Sequence, residues 1–588
     1  MKLTGPGLRT AWYVLACLLA VFTYFYGLDS QHIPKNGDEY PYEHITRLTA
    51  GSGKLLPLRS QLDHMRNTKP PLLFWQGIAS TGRGKNWTLW NLRYPGVIYT
   101  LLTAAMLFML GWKLSDHTET GTSKLETGFI AALTFLAFFT TYRFGRPFLT
   151  NPPEVFWIFL PFFVLLYWRQ TFASRFAIPL LLGISIGVGF LYKSFALGLP
   201  VSLGLAGWYL HQRQYRVAEF LKQDALKVAI AVTVAFALFA MWFVLDPGPQ
   251  AVWKEFVVGE NVGKFDPHGN LSFGQGYLSK LLWGGSSIWS YALAFLTNPG
   301  LLTFPVVALF FVAYQRRSRL SNEEKLLWIW IAAMFLSFAL PSQRSGRYLL
   351  AAMPAVALLC ALNWQQISRK AFVAILVLAG ALIAGIAYLA MRLQAEMPDV
   401  PLYPPAFWLL IAGAGILTLL AIAVPALTRP VVNVVALLVL LCFAFFLRPF
   451  DGALGNYSAQ AQHDASGKDV GVPCNFRAMD EGYRFMLPGA EIRGYNEDQN
   501  LSASELAARY QLFAVQQALN DRTQNGGCAA CRIIGQRLDI RGRQSPAELK
   551  EMLLEGKVFE YLFVREILME SPPGGKITPE QTPAQLCR

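Results

Sequence analysis

Charge is scarce in this sequence. Of 588 residues only 15% are Asp, Glu, Lys or Arg, against 54% hydrophobic and 14% aromatic. That balance excludes a water-soluble protein of this size. Apolar runs of about 17–25 residues recur, the length that crosses a bilayer core, so the chain reads as a polytopic membrane protein. Other absences narrow the class further. No small-residue cleavage site follows the first apolar run, Trp12 to Tyr26, which reads as an uncleaved span rather than a signal peptide. No soluble basic domain stands apart, so the net charge of +14 does not imply nucleic-acid binding and fits the inside bias of basic loops. There is no convincing internal repeat, and the predicted spans hold few charges. Both facts weigh against a transporter or lipid flippase, which needs ionisable groups near the bilayer midplane.

The hydropathy windows give about thirteen spans, near 11–28, 93–112, 127–142, 154–168, 176–192, 195–210, 226–245, 299–315, 325–341, 348–363, 371–391, 405–427 and 431–448. Arg169, Arg175, Arg213, Arg216, Arg316, Arg317, Arg319, Arg369, Lys370 and Arg429 all fall in loops on the amino-terminal side. That side is cytoplasmic under the positive-inside rule, and the carboxyl-terminal segment lies outside. The loops 29–92, 143–153, 246–298 and 342–347 then face outward as well. Their cations, Arg59, Arg66, Lys69, Lys264, Arg344 and Arg347, break the charge bias as a set, which anionic ligands in that compartment would explain.

After Arg448-Pro449 the chain turns polar, and residues 449–588 read as a small α/β domain. Ser502 to Tyr510 is expected to be a helix capped by Ser502 and Glu505, and Ser545 to Leu554 repeats the design with Pro546 in its first turn. Cys531 to Ile540 and Val558 to Val564 read as strands. Cys474, Cys528, Cys531 and Cys587 lie in this domain, and Cys17, Cys360 and Cys442 in predicted spans. An even set in an outer domain predicts two disulfides, with the pairing open and a four-thiolate zinc site as the rival.

The stretch Lys35 to Trp75 follows a span directly and is crowded with charge. It opens with Asp38-Glu39 and closes with Lys69-Pro70-Pro71. With these residues in view, the chain resembles the GT-C glycosyltransferases of the protein O-mannosyltransferase superfamily, most of all the aminoarabinosyl transferases of lipid A. The resemblance covers roughly residues 8–365. It rests on Gly37-Asp38-Glu39-Tyr40-Pro41-Tyr42, Lys69-Pro70-Pro71-Leu72, Leu92-Arg93-Tyr94-Pro95, Glu260 to Phe265 and the late turn Arg344 to Pro354. It implies a mainly α fold: a bundle of about thirteen helices with juxtamembrane helices from the first loop and an outer α/β domain. It also implies a bacterial inner-membrane enzyme with its amino terminus cytoplasmic and its carboxyl-terminal domain periplasmic. Its partners would be the lipid bilayer, a polyprenyl-phosphate sugar donor and an acceptor that is lipid A, another glycolipid or a protein.

Displacing a lipid phosphate from an anomeric carbon calls for cations on the leaving group and a carboxylate near the acceptor. Asp38, with Glu39 beside it, is the candidate base; a helix cap is its bland alternative. Lys69 resembles the family's phosphate-binding lysine, and Lys264, Arg344, Arg347 and Tyr348 are further donor-phosphate candidates, against snorkelling for the arginines. Tyr42, Arg59, Asn151, Lys193, Glu260 and His268 complete the set as substrate-binding candidates. Three departures from the family stand out. Asn151 occupies a turn where an acidic residue is expected, with Glu154 as the substitute. Thr68 precedes the Lys-Pro-Pro motif where the lipid A subgroup has Glu, and Pro41 stands in place of Arg. No cofactor is required by these residues, and dependence on a divalent metal stays open. A membrane scaffold with a disulfide-bonded outer domain is a further alternative, but it would not need the Asp38 and Lys69 constellation.

Overall fold

An apolar run in a bilayer must satisfy its own backbone groups, and a helix does so within one segment. The computed structural model describes residues 6–33, 37–62, 65–117, 122–264, 279, 281–283, 286–496, 499, 501–519, 527–540, 545–555 and 557–572. Six helical stretches among them are long and apolar enough to cross a membrane: Gly7–Phe25, Leu89–Leu114, Ala225–Leu245, Arg369–Glu396, Pro405–Ala423 and Pro425–Asp451. Two bent pairs raise the number to eight if each is one span, and Asn151–Tyr167, Ala177–Tyr192 and Gly346–Leu362 are shorter apolar helices.

The bends answer one another. Lys124–Ala137 and Phe139–Gly145 meet at 65°, and Ile288–Thr297 and Gly300–Gln315 at 106°. At the first break Phe138 is extended, which frees the amides of the next turn. Phe139 N donates to Pro299 O at 3.3 Å and Thr140 N to Asn298 O at 3.2 Å, both in the second break. The approach is close enough that a Cβ at Gly300, whose φ is +65°, would lie 2.5 Å from the Phe139 Cβ. The expected spans at 127–142 and 299–315 are therefore corrected. The first is broken at Phe138, and the second is preceded by an apolar helix that hydropathy left in the outer loop. The expected span 405–427 also ends early, at Ala423, because Pro425 lacks the amide to continue it and instead opens the final helix, Pro425–Leu447.

The first loop supplies two short helices, Glu39–Gly51 and Leu72–Ser80. The first is fixed to the bundle through Glu39. Its carboxylate accepts from Arg93 Nε at 2.6 Å and Nη2 at 2.8 Å, and from the backbone amide of Phe148 at 2.6 Å. Glu39 is 2% exposed and Arg93 3%. Arg93 Nη1 also donates to the Leu28 and Ser30 carbonyls. One buried ion pair thus ties the end of the first span, the first loop, the Leu89–Leu114 helix and the 143–153 turn together.

The carboxyl-terminal region forms a five-stranded sheet of order β2-β1-β3-β5-β4, with β1 Asp469–Cys474, β2 Glu491–Asn496, β3 Leu512–Ala518, β4 Arg532–Ile540 and β5 Phe563–Glu570. β1 pairs in parallel with β2 and β3, while β5 runs antiparallel between β3 and β4. The helices Ala503–Ala507 and Pro546–Leu554 carry the expected capping boxes, Ser502 with Glu505 and Ser545 with Glu548. The expected strand 558–564 is instead a helix, Val558–Leu562, that leads into β5. Phe559 and Phe563, four residues apart, bring their ring centroids to 5.2 Å with the planes tilted by 54°, a four-residue spacing that a two-residue period misses. Cys528 is disulfide-bonded to Cys531. Cys474 is also disulfide-bonded, and Cys587 lies outside the described residues. Cys17, Cys360 and Cys442 are free.

Candidate active site

Four elements bring the candidate residues together. Asp38 occupies the N-cap position of Glu39–Gly51, yet its side chain makes no cap hydrogen bond. It pairs with Nη1 of Arg347, which enters on the 3₁₀ turn Gly346–Ala352. Ser345 accepts from the Arg347 amide at 3.3 Å and fixes the start of that turn. Arg347 Nε donates to Asn151 Oδ1 at 2.8 Å, and its guanidinium lies 5.0 Å from the centroid of the Phe144 ring. Asn151 Nδ2 in turn donates to Glu154 Oε2 at 3.1 Å, and the same oxygen lies 3.2 Å from Lys193 Nζ. The result is a continuous relay, Asp38–Arg347–Asn151–Glu154–Lys193. Asn151 supplies an amide where a carboxylate was expected, and Glu154 supplies the charge one helical turn later.

Lys193 sits just past the end of the Ala177–Tyr192 helix. Burial pushes its ammonium pKa down, against the pull of Glu154, and the charges of Arg347 and Lys69 push the same way. Those two cations therefore lie close enough for their charge to act on Lys193. Lys69 itself pairs with Glu260 and donates to its neighbour's carbonyl, Thr68 O, at 2.8 Å. Glu260 belongs to the π-helical turn Trp253–Asn261, whose last residue accepts from Ser194 Oγ at 2.6 Å. Asn67 fastens the first loop to the same turn, donating through its amide and Nδ2 to Glu255 Oε2 at 3.0 Å each. Three cations, Lys69, Lys193 and Arg347, and three carboxylates, Asp38, Glu154 and Glu260, thus face a common region.

The other candidates stand apart. Arg344 donates to the Ala339 and Ser286 carbonyls, both at 2.7 Å, and so holds the late turn. Tyr348 lies beside Phe338 at 5.6 Å. Tyr42 is buried against Phe74, Arg59 is exposed, and Glu39 serves the Arg93 lock. The Lys264 side chain and His268 lie outside the described residues. Among the described residues no group of three or more His, Cys, Asp or Glu is placed to hold a metal ion.

Hydropathy gave no hint of the contact that steadies this site from outside. Glu481, on the turn Met479–Gly482 of the sheet region, accepts from His44 Nδ1 at 2.7 Å and from Arg47 Nε at 2.9 Å, and Arg484 Nε donates to it at 3.2 Å. The Gln61 amide donates to His44 Nε2 at 3.0 Å, so Nδ1 carries the proton that Glu481 accepts. Burial alone would raise the Glu481 pKa. The hydrogen bonds from His44 and Arg47, with the charges of Arg47 and Arg484, instead hold it far below the carboxylate range. A carboxylate with a depressed folded pKa contributes stability above its unfolded pKa of about 4.3 and loses it as the pH falls toward the folded value. Glu481→Gln should therefore loosen the Glu39–Gly51 helix at neutral pH. Amide hydrogen exchange across 39–51 is expected to speed up by about 10- to 150-fold, the equivalent of one charge-assisted hydrogen bond at roughly 1.5–3 kcal/mol. Unchanged exchange there would show that the contact is incidental.

No family model matches the chain. Among curated proteins it is 25% identical over 374 residues to undecaprenyl phosphate-alpha-4-amino-4-deoxy-L-arabinose arabinosyl transferase 1 of Sodalis glossinidius, covering 62% of this chain and 60% of that protein. The corresponding transferase of Pseudomonas savastanoi pv. phaseolicola is 26% identical over 357 residues, covering 59% and 60%. The matches thus span about 60% of the length of these relatives. Among solved structures, ArnT from Cupriavidus metallidurans bound to undecaprenyl phosphate superimposes with a TM-score of 0.58 at 15% identity, over 97% of this chain and 100% of that one. The same protein in the apo state gives 0.57 at 14% identity, over 97% and 99%. The chain is thus similar, at about 25% identity over about 60% of its length, to undecaprenyl-phosphate aminoarabinose transferases, and its fold is that of ArnT.

Proposed function

We propose that the chain is an inner-membrane glycosyltransferase that moves a sugar from a polyprenyl-phosphate carrier to lipid A or another envelope glycolipid at the periplasmic face, with inversion at the anomeric carbon. The observation that carries this reading is the relay from Asp38 through Arg347, Asn151 and Glu154 to Lys193, with Lys69 close enough to act on the Lys193 charge. Each of these cations is held by a carboxylate: Lys69 by Glu260, Lys193 by Glu154 and Arg347 by Asp38. A donor phosphate exchanges for one or more of those carboxylates. When it takes Arg347, Asp38 is freed to receive the proton of an acceptor hydroxyl. The acceptor oxygen attacks the anomeric carbon, the bond from that carbon to the phosphate oxygen breaks, and polyprenyl phosphate departs with its charge met by the cations.

Residues 1–448 form the membrane domain in this reading, with about thirteen spans, a cytoplasmic amino terminus and residues 449–588 in the periplasm. The run of arginines in the loops of one side supports that orientation, and so does the Cys528–Cys531 disulfide in the sheet region. Mass spectrometry of envelope lipids and secreted proteins, from cells with and without this chain, tests the proposal. Loss of a pentose- or hexosamine-sized addition on lipid A phosphate is expected. Loss of a sugar from secreted proteins would move the acceptor to protein, and no change in any glycoconjugate would favour a transporter.

A further inference from the structure

We infer that the end of the bundle opposite Asp38 holds a binding site for the phosphate headgroup of an anionic phospholipid. A cavity of about 350 Å³ opens there between the start of the first helix, the start of Lys124–Ala137, the turn after Leu362 and the start of Pro425–Leu447. Arg9, Trp12, Glu126, Trp364 and Arg429 line it. The first helix has 20 residues, which separates this end from the Asp29 and Arg448 end by ~30 Å.

Two donors in the lining lack acceptors. Trp364 is 1% exposed, and its Nε1–H has no hydrogen-bond partner among the described residues; the same holds for Nε of Arg429. A buried donor left unpaired costs free energy comparable to a lost hydrogen bond, so an acceptor group in the cavity would recover it. The rest of Arg429 is anchored: Nη2 donates to the Ile367 carbonyl at 2.9 Å and the Gln365 carbonyl at 3.3 Å. Trp12 is satisfied by the Pro430 carbonyl at 3.0 Å.

The charge is of one sign on balance. Glu126 is the carboxylate of the lining; it accepts from Tyr13 Oη at 3.0 Å and has Arg9 at 3.9 Å. Against it stand Arg9, Arg429 and the adjacent Arg369, which donates to Thr428 Oγ1 at 3.1 Å and the Ile422 carbonyl at 2.7 Å. The cavity also meets the amino terminus of a 23-residue helix at Pro425, whose dipole favours an anion. Tryptophans with arginines at a bilayer boundary suit a headgroup whose tails continue along apolar helices, more than they suit a small soluble anion. This inference does not depend on the transferase reading.

Native mass spectrometry of the full chain with phosphatidylglycerol, phosphatidylcholine and inorganic phosphate tests it. Phosphatidylglycerol adducts should persist at least tenfold longer in preference to phosphatidylcholine, and Arg9→Gln with Arg429→Gln should remove the preference. Trp364→Phe deletes only the orphaned donor, so a two- to threefold loss with an unchanged melting midpoint is expected. Arg532→Gln, on the exposed sheet, should leave the adducts intact. Retention of the preference by both the arginine and tryptophan variants would overturn the site. So would its loss in Arg532→Gln alone. Displacement of the lipid by millimolar inorganic phosphate would replace the lipid assignment with a soluble anion.

Discussion

Asp38→Asn is expected to reduce sugar transfer by about 10²–10⁴-fold, the range associated with removing a positioned general base. The protein should stay folded, because the Asp38 side chain is 44% exposed and caps no helix. Transfer of labelled sugar from a polyprenyl-phosphate donor, in membranes with equal amounts of each protein, measures it. The turnover number should fall more than the Michaelis constant rises, since donor phosphate is held by the cations. Arg347→Gln should show the opposite balance, weakening donor binding and leaving Asp38 without its partner. If the Asn variant transfers at the wild-type rate, Asp38 is not the base. Should the acceptor nucleophile be a phosphate, the loss would shrink toward the cost of misorienting it, and a pH profile without a carboxylate limb would identify that case.

Glu39→Ala is expected to fail for a different reason. It strips Arg93 of its bidentate partner and leaves a guanidinium only 3% exposed. Removing one member of a buried pair costs roughly 3–5 kcal/mol, because the remaining charge loses its direct partner in a site closed to water. The Phe148 amide loses its acceptor in the same stroke. Thermal unfolding in detergent should show a fall large against the total stability of an ordinary domain, and yield in the membrane should drop with it. A double variant, Glu39→Gln with Arg93→Met, should recover part of the loss, since no charge is then stranded. A Glu39→Ala protein that melts like the wild type but turns over slowly would return Glu39 to the chemistry beside Asp38.

Those two adjacent carboxylates show what a sequence can and cannot disclose. Their position after a span, opposite a lysine in an outward loop, singled out both. Nothing local separates them, because the difference lies in a partner 54 residues away for Glu39 and 309 away for Asp38. The helix positions were legible because an apolar run has one way to hide its backbone from lipid. The breaks at Phe138 and near Asn298 were not, because the amides freed at the first are satisfied by carbonyls of the second, some 160 residues away. Lys193 and Glu154 were each visible as oddities, an ionisable group at a span end and a carboxylate after Asn151, but their contact depends on how two helices pack. Glu481 gave no signal, lying 437 residues from His44 in an unremarkable polar stretch.

The grip on the Glu39–Gly51 helix comes from both halves of the chain, Arg93 on the membrane side and Glu481 on the sheet side. Exchange of the two halves between homologues is therefore constrained at this seam. A chimera that joins this bundle to a foreign outer domain should assemble in the membrane and still misplace Asp38, unless the Met479–Gly482 turn and Arg484 are carried across with their partners His44 and Arg47.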